Sequence, residues 1–390
     1  MKKLIFLGLA FLFGCGTYSP TTAYYQQQLQ TILSLKWNEF KQGKPEGGGL
    51  GLRILSPKGN FFVSVDLGQN VTENIHFRSA STTKTFTAAA IMLLHQQGLL
   101  NIDDNITAYL PDDANYDIPY KDQITIRLLL EHRAGVFDIS NTDIPTTVSA
   151  PYAGYSYAEY VRDVLGEDEH TFTFDELVGV LAANDLYYTA PDVEFHYSDT
   201  GYSILGKIVE QVSGLTYAEF IRDNFVMPNN LADTSFPWQG TDETIPAPYA
   251  TGYLWNQGFT TDVTLDNMSP HVAEGNAITT PENLTRWIKA LLTGAAGVEQ
   301  TYVDMMMDVQ ATSIPQYYYG LGINYTPGLG YGHDGAHMGY LTVMRYDPDY
   351  DVAFIIFCST WDMADIYTQL NFLYKTARAA REFLGYPSEG

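Results

Sequence analysis

Ser81-Thr82-Thr83-Lys84 places a hydroxyl and an amine three residues apart at the head of a largely apolar stretch. In a helix over residues 81–97 that spacing stacks both side chains on one face, about one turn apart. A serine hydroxyl is a poor nucleophile at neutral pH and needs a neighbour to take its proton. A lysine one turn away meets that need if its surroundings favour the neutral amine, or if it relays a proton from a third group. The chemistry such a pair could do is nucleophilic attack by an activated hydroxyl. Standing alone, the four residues read as a polar N-cap followed by a solvated lysine, so other segments must decide.

Two segments do. Tyr197-Ser198-Asp199 lies within Phe195-His196-Tyr197-Ser198-Asp199-Thr200-Gly201-Tyr202, just ahead of the apolar stretch Ile204–Val209. Near the end, Gly332-His333-Asp334-Gly335-Ala336 leads into the β-rich run Leu341-Thr342-Val343-Met344-Arg345-Tyr346. Nucleophile helix, tyrosine loop and histidine-glycine strand, in this order, resemble the penicillin-recognising serine hydrolases. The nearest branch holds class C β-lactamases, D-alanyl-D-alanine carboxypeptidases, D-aminopeptidases and related esterases. Ile124 to Val136, containing Leu130-Glu131-His132-Arg133-Ala134-Gly135, resembles the family's segment after the first helix. Ala277 to Trp287 resembles its later helix start. Together these cover roughly residues 45–385.

The resemblance implies roles. Ser81 is the expected nucleophile, with Lys84 and Tyr197 sharing the proton work; which of them is the base stays open. The amides of Ser81 and Ala336 are the expected oxyanion donors, worth about 3 kcal/mol each. Gly335 is expected to clear space where backbone and substrate approach, and His333 to border the groove and assist leaving-group protonation. Two residues depart from the family pattern. Asp199 stands where many relatives have asparagine, and a carboxylate cannot donate to a substrate carbonyl unless protonated. Asp334 stands where carboxypeptidase-like relatives have a hydroxyl that helps hold a carboxylate. Both changes favour neutral or amine-bearing substrates, hence an esterase, amidase or aminopeptidase. The alternatives are a D-alanyl-D-alanine carboxypeptidase or class C β-lactamase and, from another class, a catalytically weak envelope-binding lipoprotein.

The elements that must position these residues can be read along the chain. Gln26–Phe40 has apolar residues at helical spacing. Leu50, Leu52 and Ile54 alternate, Pro57-Lys58-Gly59-Asn60 marks a turn, and Phe61, Val63, Val65 and Leu67 alternate again, as in a β-hairpin. Residues 100–270, with helix-like stretches at 158–165, 175–183 and 218–225, predict a mostly helical lobe. Sheet resumes over 317–357, and 365–384 predicts a closing helix. The expected fold class is α/β: an antiparallel β-sheet flanked by helices, β-lactamase/transpeptidase-like, with the helical lobe inserted. Ser81, Tyr197 and His333 lie too far apart in sequence for local structure to join them, so the fold must bring them to one groove.

The chain has 390 residues, 45% of them hydrophobic, and a formal net charge of −24. That length supports a large core, and that charge repels phosphate backbones, which excludes nucleic acid as a partner. The expected partner is a small-molecule or peptide substrate, with no cofactor; oligomeric state cannot be read. His333, Asp334 and His337 are disfavoured as metal ligands, because in an extended strand 333 and 337 stand about 13 Å apart and 334 faces the other way. Lys2-Lys3, the short apolar run Leu4–Phe13 and Leu12-Phe13-Gly14-Cys15 resemble a lipoprotein leader. The expected organisation is a signal peptide over 1–14, a tether over 15–24 beginning with lipidated Cys15, and a hydrolase domain over 25–390. The expected location is the bacterial cell envelope, lipid-anchored on the periplasmic face. Cys358, the other of two cysteines, lies in an apolar run and predicts a small buried hydrophobe rather than a nucleophile.

Overall fold

The computed structural model describes residues 21–388. The expected leader, with Cys15, lies outside the described residues. Five helices frame the site: α1 (Thr22–Phe40), α2 (Thr83–Gln96), α3 (Asp199–Ser213), α4 (Pro281–Leu292) and α5 (Ile366–Phe383). The main sheet contains β1 (Leu50–Ser56), β2 (Gly59–Val65), β3 (Gln310–Ala311), β4 (Tyr318–Tyr319), β5 (Asn324–Thr326), β6 (Gly330–His337), β7 (Tyr340–Asp347) and β8 (Val352–Cys358). Their spatial order is β2-β1-β8-β7-β6-β5-β4-β3, and every neighbouring pair is antiparallel.

Period-two patterning builds this sheet and buries both of its faces. In β8, Val352, Phe354, Ile356 and Cys358 pack toward one cluster with Leu29, Leu33 and Trp37 of α1 and Leu373, Ala377 and Ala380 of α5. The intervening Ala353, Ile355 and Phe357 pack toward the other, larger cluster with Trp287, Ile288 and Leu291 of α4 and the apolar residues of α2. Register pins this: Leu50 pairs with Cys358 and Leu52 with Ile356, so the N-terminal hairpin completes a sheet begun by the C-terminal strands. The hairpin closes through the two-residue link Pro57-Lys58. Cys358 is fully buried and its thiol is pushed up to about 11 by burial, the inert hydrophobe its sequence neighbourhood predicts.

Between the two sheet segments run short helices and irregular chain. Helical turns occur over 157–164, 174–183 and 217–226, close to the predicted stretches. α3 is the long helix of this lobe, capped by Ser198, whose hydroxyl accepts the Gly201 amide. α4 starts on Thr280 as N-cap with Pro281 in its first turn. α2 is buried from Thr83 to Leu94, so its polar side chains need partners inside the protein. Thr85 accepts the Trp287 indole N–H at 2.8 Å, and Thr87 shares a 2.7 Å hydrogen bond with the Tyr217 hydroxyl. Those bonds fix α2 in rotation and depth, and with it the residues at its head.

Candidate active site

Ser81 sits in a 3-10 turn, Ala80–Thr82, that runs directly into α2. The α-helix thus begins two residues later than the motif alone predicts, and the pair still meets: Lys84 Nζ lies 3.3 Å from Ser81 Oγ. Ala80 holds φ at +51°, a left-handed conformation costing an L-residue about 1–2 kcal/mol. Two further non-glycine residues at this site, His132 (φ +54°) and Ala273 (φ +69°), share that strain.

Lys84 is fully buried. Its Nζ hydrogen-bonds Ser81 Oγ and the Glu274 carbonyl oxygen at 2.9 Å, and pairs with the Asp199 carboxylate. The ring faces of Tyr197 and Tyr202 lie 4.8 and 5.3 Å from Nζ and add cation–π attraction. Around this one cation stand three carboxyl groups. Burial first, then Asp199 and Glu274, push the Asp138 carboxyl up to about 8. Burial and Asp199 hold Glu274 well above the usual carboxylate range.

Tyr197 comes from the loop ahead of α3, and its hydroxyl lies within reach of Ser81. Burial and the nearby Asp199 carboxylate raise the phenol well above its ordinary value, so the resting group carries its proton. Asp199, the first residue of α3, places its carboxylate at the helix N-terminus and also accepts a bond from the Asn141 side chain. The structure therefore brings Ser81, Lys84, Tyr197 and Asp199 together.

β6 supplies the other wall. Gly335 packs its α-carbon against the nucleophile turn, where a Cβ would lie 2.1 Å from the Ser79 carbonyl oxygen. The close approach expected there is thus between two backbones, not between backbone and substrate. The neighbouring Ala336 is exposed, and Ser81 is partly so. His333 is 2% exposed and both ring nitrogens are engaged, Nε2 with the Tyr319 hydroxyl at 2.9 Å and Nδ1 with the Asp334 carbonyl. Burial and then the Lys84 charge push its imidazole down to about 3. A neutral ring with no free nitrogen does not serve as the leaving-group acid, which corrects that expectation. Asp334 is a second correction. Strand alternation turns it to the opposite face, where Arg345 Nη2 (2.9 Å), the Tyr374 hydroxyl (2.6 Å) and Asn324 Nδ2 (3.3 Å) bind its carboxylate. It is satisfied within the protein and does not repel a substrate. His337 bonds Asp266 at 2.7 Å, away from His333.

Comparison with known proteins agrees with this geometry. The family model described as Beta-lactamase matches residues 59–374. The chain belongs to the beta-lactamase family. This is the family of penicillin-recognising serine hydrolases. Penicillin-binding protein 4* of Bacillus subtilis (strain 168) is 27% identical over 291 residues, 70% of this chain and 58% of that protein. Protein flp of Staphylococcus aureus (strain MRSA252) is 26% identical over 216 residues, 54% of this chain and 38% of that protein. The chain thus spans less than two thirds of the length of these curated relatives. Among solved structures, a D-stereospecific amidohydrolase from Streptomyces sp. superposes with a TM-score of 0.75 at 22% identity, covering 94% of this chain and 99% of that one. D-amino acid amidase from Ochrobactrum anthropi SV3 gives 0.74 at 23% identity, covering 93% and 99%. At these identities the structures establish the shared fold.

Within this beta-lactamase-family site, three residues carry geometry that motif reading left unassigned. His132 lies in the segment that signalled the resemblance, yet its place under Tyr197 (ring centroids 4.2 Å apart) depends on tertiary packing. Glu274 contributes its backbone carbonyl to Lys84 from a stretch with no motif. Tyr319 is one of 29 tyrosines, and nothing in the sequence distinguishes it.

Proposed function

We propose that this protein is a serine hydrolase that opens amide or ester bonds through an acyl-Ser81 intermediate and favours substrates with an amine beside the scissile bond. One observation carries the reading: Lys84 Nζ and the Tyr197 hydroxyl converge on Ser81 Oγ from two distant parts of the chain. Ser81 attacks the carbonyl as its proton passes to the Tyr197–Lys84 pair. Tyr197 holds its proton at rest, so Lys84 takes the serine proton as a neutral amine, with the Asp199 carboxylate in contact to carry the proton that Lys84 gives up. The Ser81 and Ala336 amides hold the oxyanion. Tyr197 then returns a proton to the leaving group, and water releases the acyl chain.

Asp138 and Glu274 are held toward their protonated, uncharged forms, so the amine preference rests on Asp199, whose carboxylate beside Lys84 can accept from a substrate ammonium where an asparagine would donate to a carbonyl. D-amino-acid amides and short peptides with a free amine fit that acceptor, and short-chain esters are tolerated by it. The match to a penicillin-binding protein supports a second reading, a D-alanyl-D-alanine carboxypeptidase or class C β-lactamase. Turnover of a short-chain ester, a D-amino-acid amide and a D-alanyl-D-alanine peptide, measured side by side with Ser81→Ala as control, separates them. The amide should outpace the peptide, and the control should be silent. Fastest turnover of the D-alanyl-D-alanine peptide overturns the amine preference. No turnover of any of the three points instead to a catalytically weak envelope-binding role.

We further propose export and lipid anchoring through Cys15 on the periplasmic face of the cell envelope, from the basic, apolar and cysteine-terminated leader. Among the described residues no helix is long and apolar enough to cross a membrane.

A further inference from the structure

The Tyr319 hydroxyl lies between two buried imidazoles, 3.2 Å from His132 Nε2 and 2.9 Å from His333 Nε2. The direction of each bond follows from the outer partners. His132 Nδ1 accepts the Ser198 backbone N–H at 3.1 Å, so it bears no proton, and the neutral ring carries its hydrogen on Nε2. That hydrogen is donated to Tyr319. At the other end His333 Nδ1 faces the Asp334 carbonyl, which can only accept, so Nδ1 carries the hydrogen and Nε2 offers a lone pair. The Tyr319 O–H fills it. The Tyr202 hydroxyl is also within reach of Tyr319. Its own proton goes to the Leu130 carbonyl at 3.0 Å, and the imidazole nitrogen is the stronger acceptor. Burial and the Lys84 charge keep both rings neutral.

We propose that Tyr319 is a positioning residue that bridges the two histidine rings and ties the Tyr197 loop to strand β6. The loop end of the tie is firm: besides the Ser198 bond, the His196 amide donates to the His132 carbonyl at 2.8 Å, and the His132 ring lies against Tyr197. The strand end is His333, two residues before Gly335, which touches the nucleophile turn. One phenol thereby sets the separation between the Tyr197 hydroxyl and the Ala336 amide on either side of Ser81. It passes no proton to substrate, since every donor in the chain already has an acceptor. The catalytic consequence rests on the serine-hydrolase reading above; the tautomers do not.

The test is nitrogen-15 NMR of the histidine rings in the full-length protein, together with kinetics of Tyr319→Phe. Only eight histidines are present, so His132→Asn and His333→Asn assign the signals by difference. Wild type should show His132 protonated on Nε2 and His333 on Nδ1, neither titrating between pH 5 and pH 9. In Tyr319→Phe both rings should keep these tautomers, which Ser198 and Asp334 set, while the Nε2 signals of His132 and His333 shift together as the bridging bonds are lost. Ester kcat should fall at least about tenfold with KM nearly unchanged, because the reacting groups are misplaced and not the binding surface. The opposite tautomer pair in wild type, or an unchanged kcat in Tyr319→Phe, overturns the proposal even if Ser81 is active. The expected tautomers in a wild type without Ser81-dependent turnover retire the hydrolase reading and the positioning role, and leave only the hydrogen-bonded chain.

Discussion

At the scale of the residue, the site is a problem in placing one proton. Ser81 has two neighbours able to take it: Lys84, paired with Asp199, and Tyr197, whose phenolate burial and Asp199 disfavour. Loss of either should therefore be severe. Lys84→Ala and Tyr197→Phe are each expected to lower kcat by about 10²- to 10⁴-fold with the protein still folded, as read by ester turnover and a melting curve. Near-wild-type rates in the lysine variant reject its role. Asp138 gives a separate, pH-dependent prediction. Its carboxyl has an ordinary value of 3.8 and is raised to about 8 in the fold, so between those limits the native state binds more proton than the unfolded chain. Stability then declines as pH rises through that window. The melting temperature of wild type should fall by several degrees between pH 5 and pH 8.5, and that of Asp138→Asn should fall less; equal declines contradict the assignment. The spacing of Ser81 and Lys84 was legible because helix periodicity converts it into a shared face. The place of Asp334 was not, because alternation says that neighbours in a strand face opposite ways but not which way the substrate lies.

At the scale of the element, the site depends on β6 lying against the turn before α2. The sequence shows a strand at the histidine-glycine motif and a helix at the serine motif, and the structure confirms both with small shifts at the ends. What it could not show is that the glycine accommodates Ser79. Adding a methyl group at Gly335 would put a carbon 2.1 Å from a backbone oxygen, a contact that no rotamer change relieves. Gly335→Ala should push the strand away, lower the melting temperature and cost at least about 100-fold in kcat through misplacement of the Ala336 amide. An unchanged kcat would remove the strand's part in catalysis. The helical lobe was legible only in outline. Its predicted stretches are short, end in irregular turns, and take their positions from packing on α2 and α3 rather than from their own periodicity.

At the scale of the whole molecule, the fold is a device for joining residues more than a hundred positions apart. Both sheet faces are buried, α1 and α5 on one side and α4 with α2 on the other, so the strand carrying His333 and the helix carrying Lys84 share one core. That architecture was readable from alternation at the two ends of the chain. The tie through His132, Tyr319 and His333 was not, because no periodicity marks a single buried phenol. The large negative charge keeps such a surface away from polyanions. Cys15→Ser should release the protein from the membrane fraction without altering its melting temperature; continued membrane association would refute the anchor.

The central claim is that Ser81 itself becomes acylated. Peptide mass spectrometry after brief exposure to a fluorophosphonate or a slowly released ester tests it most directly. One adduct should appear, on the peptide bearing Ser81, and be absent from Ser81→Ala. An adduct on another residue, or substrate turnover that survives in Ser81→Ala, contradicts the account.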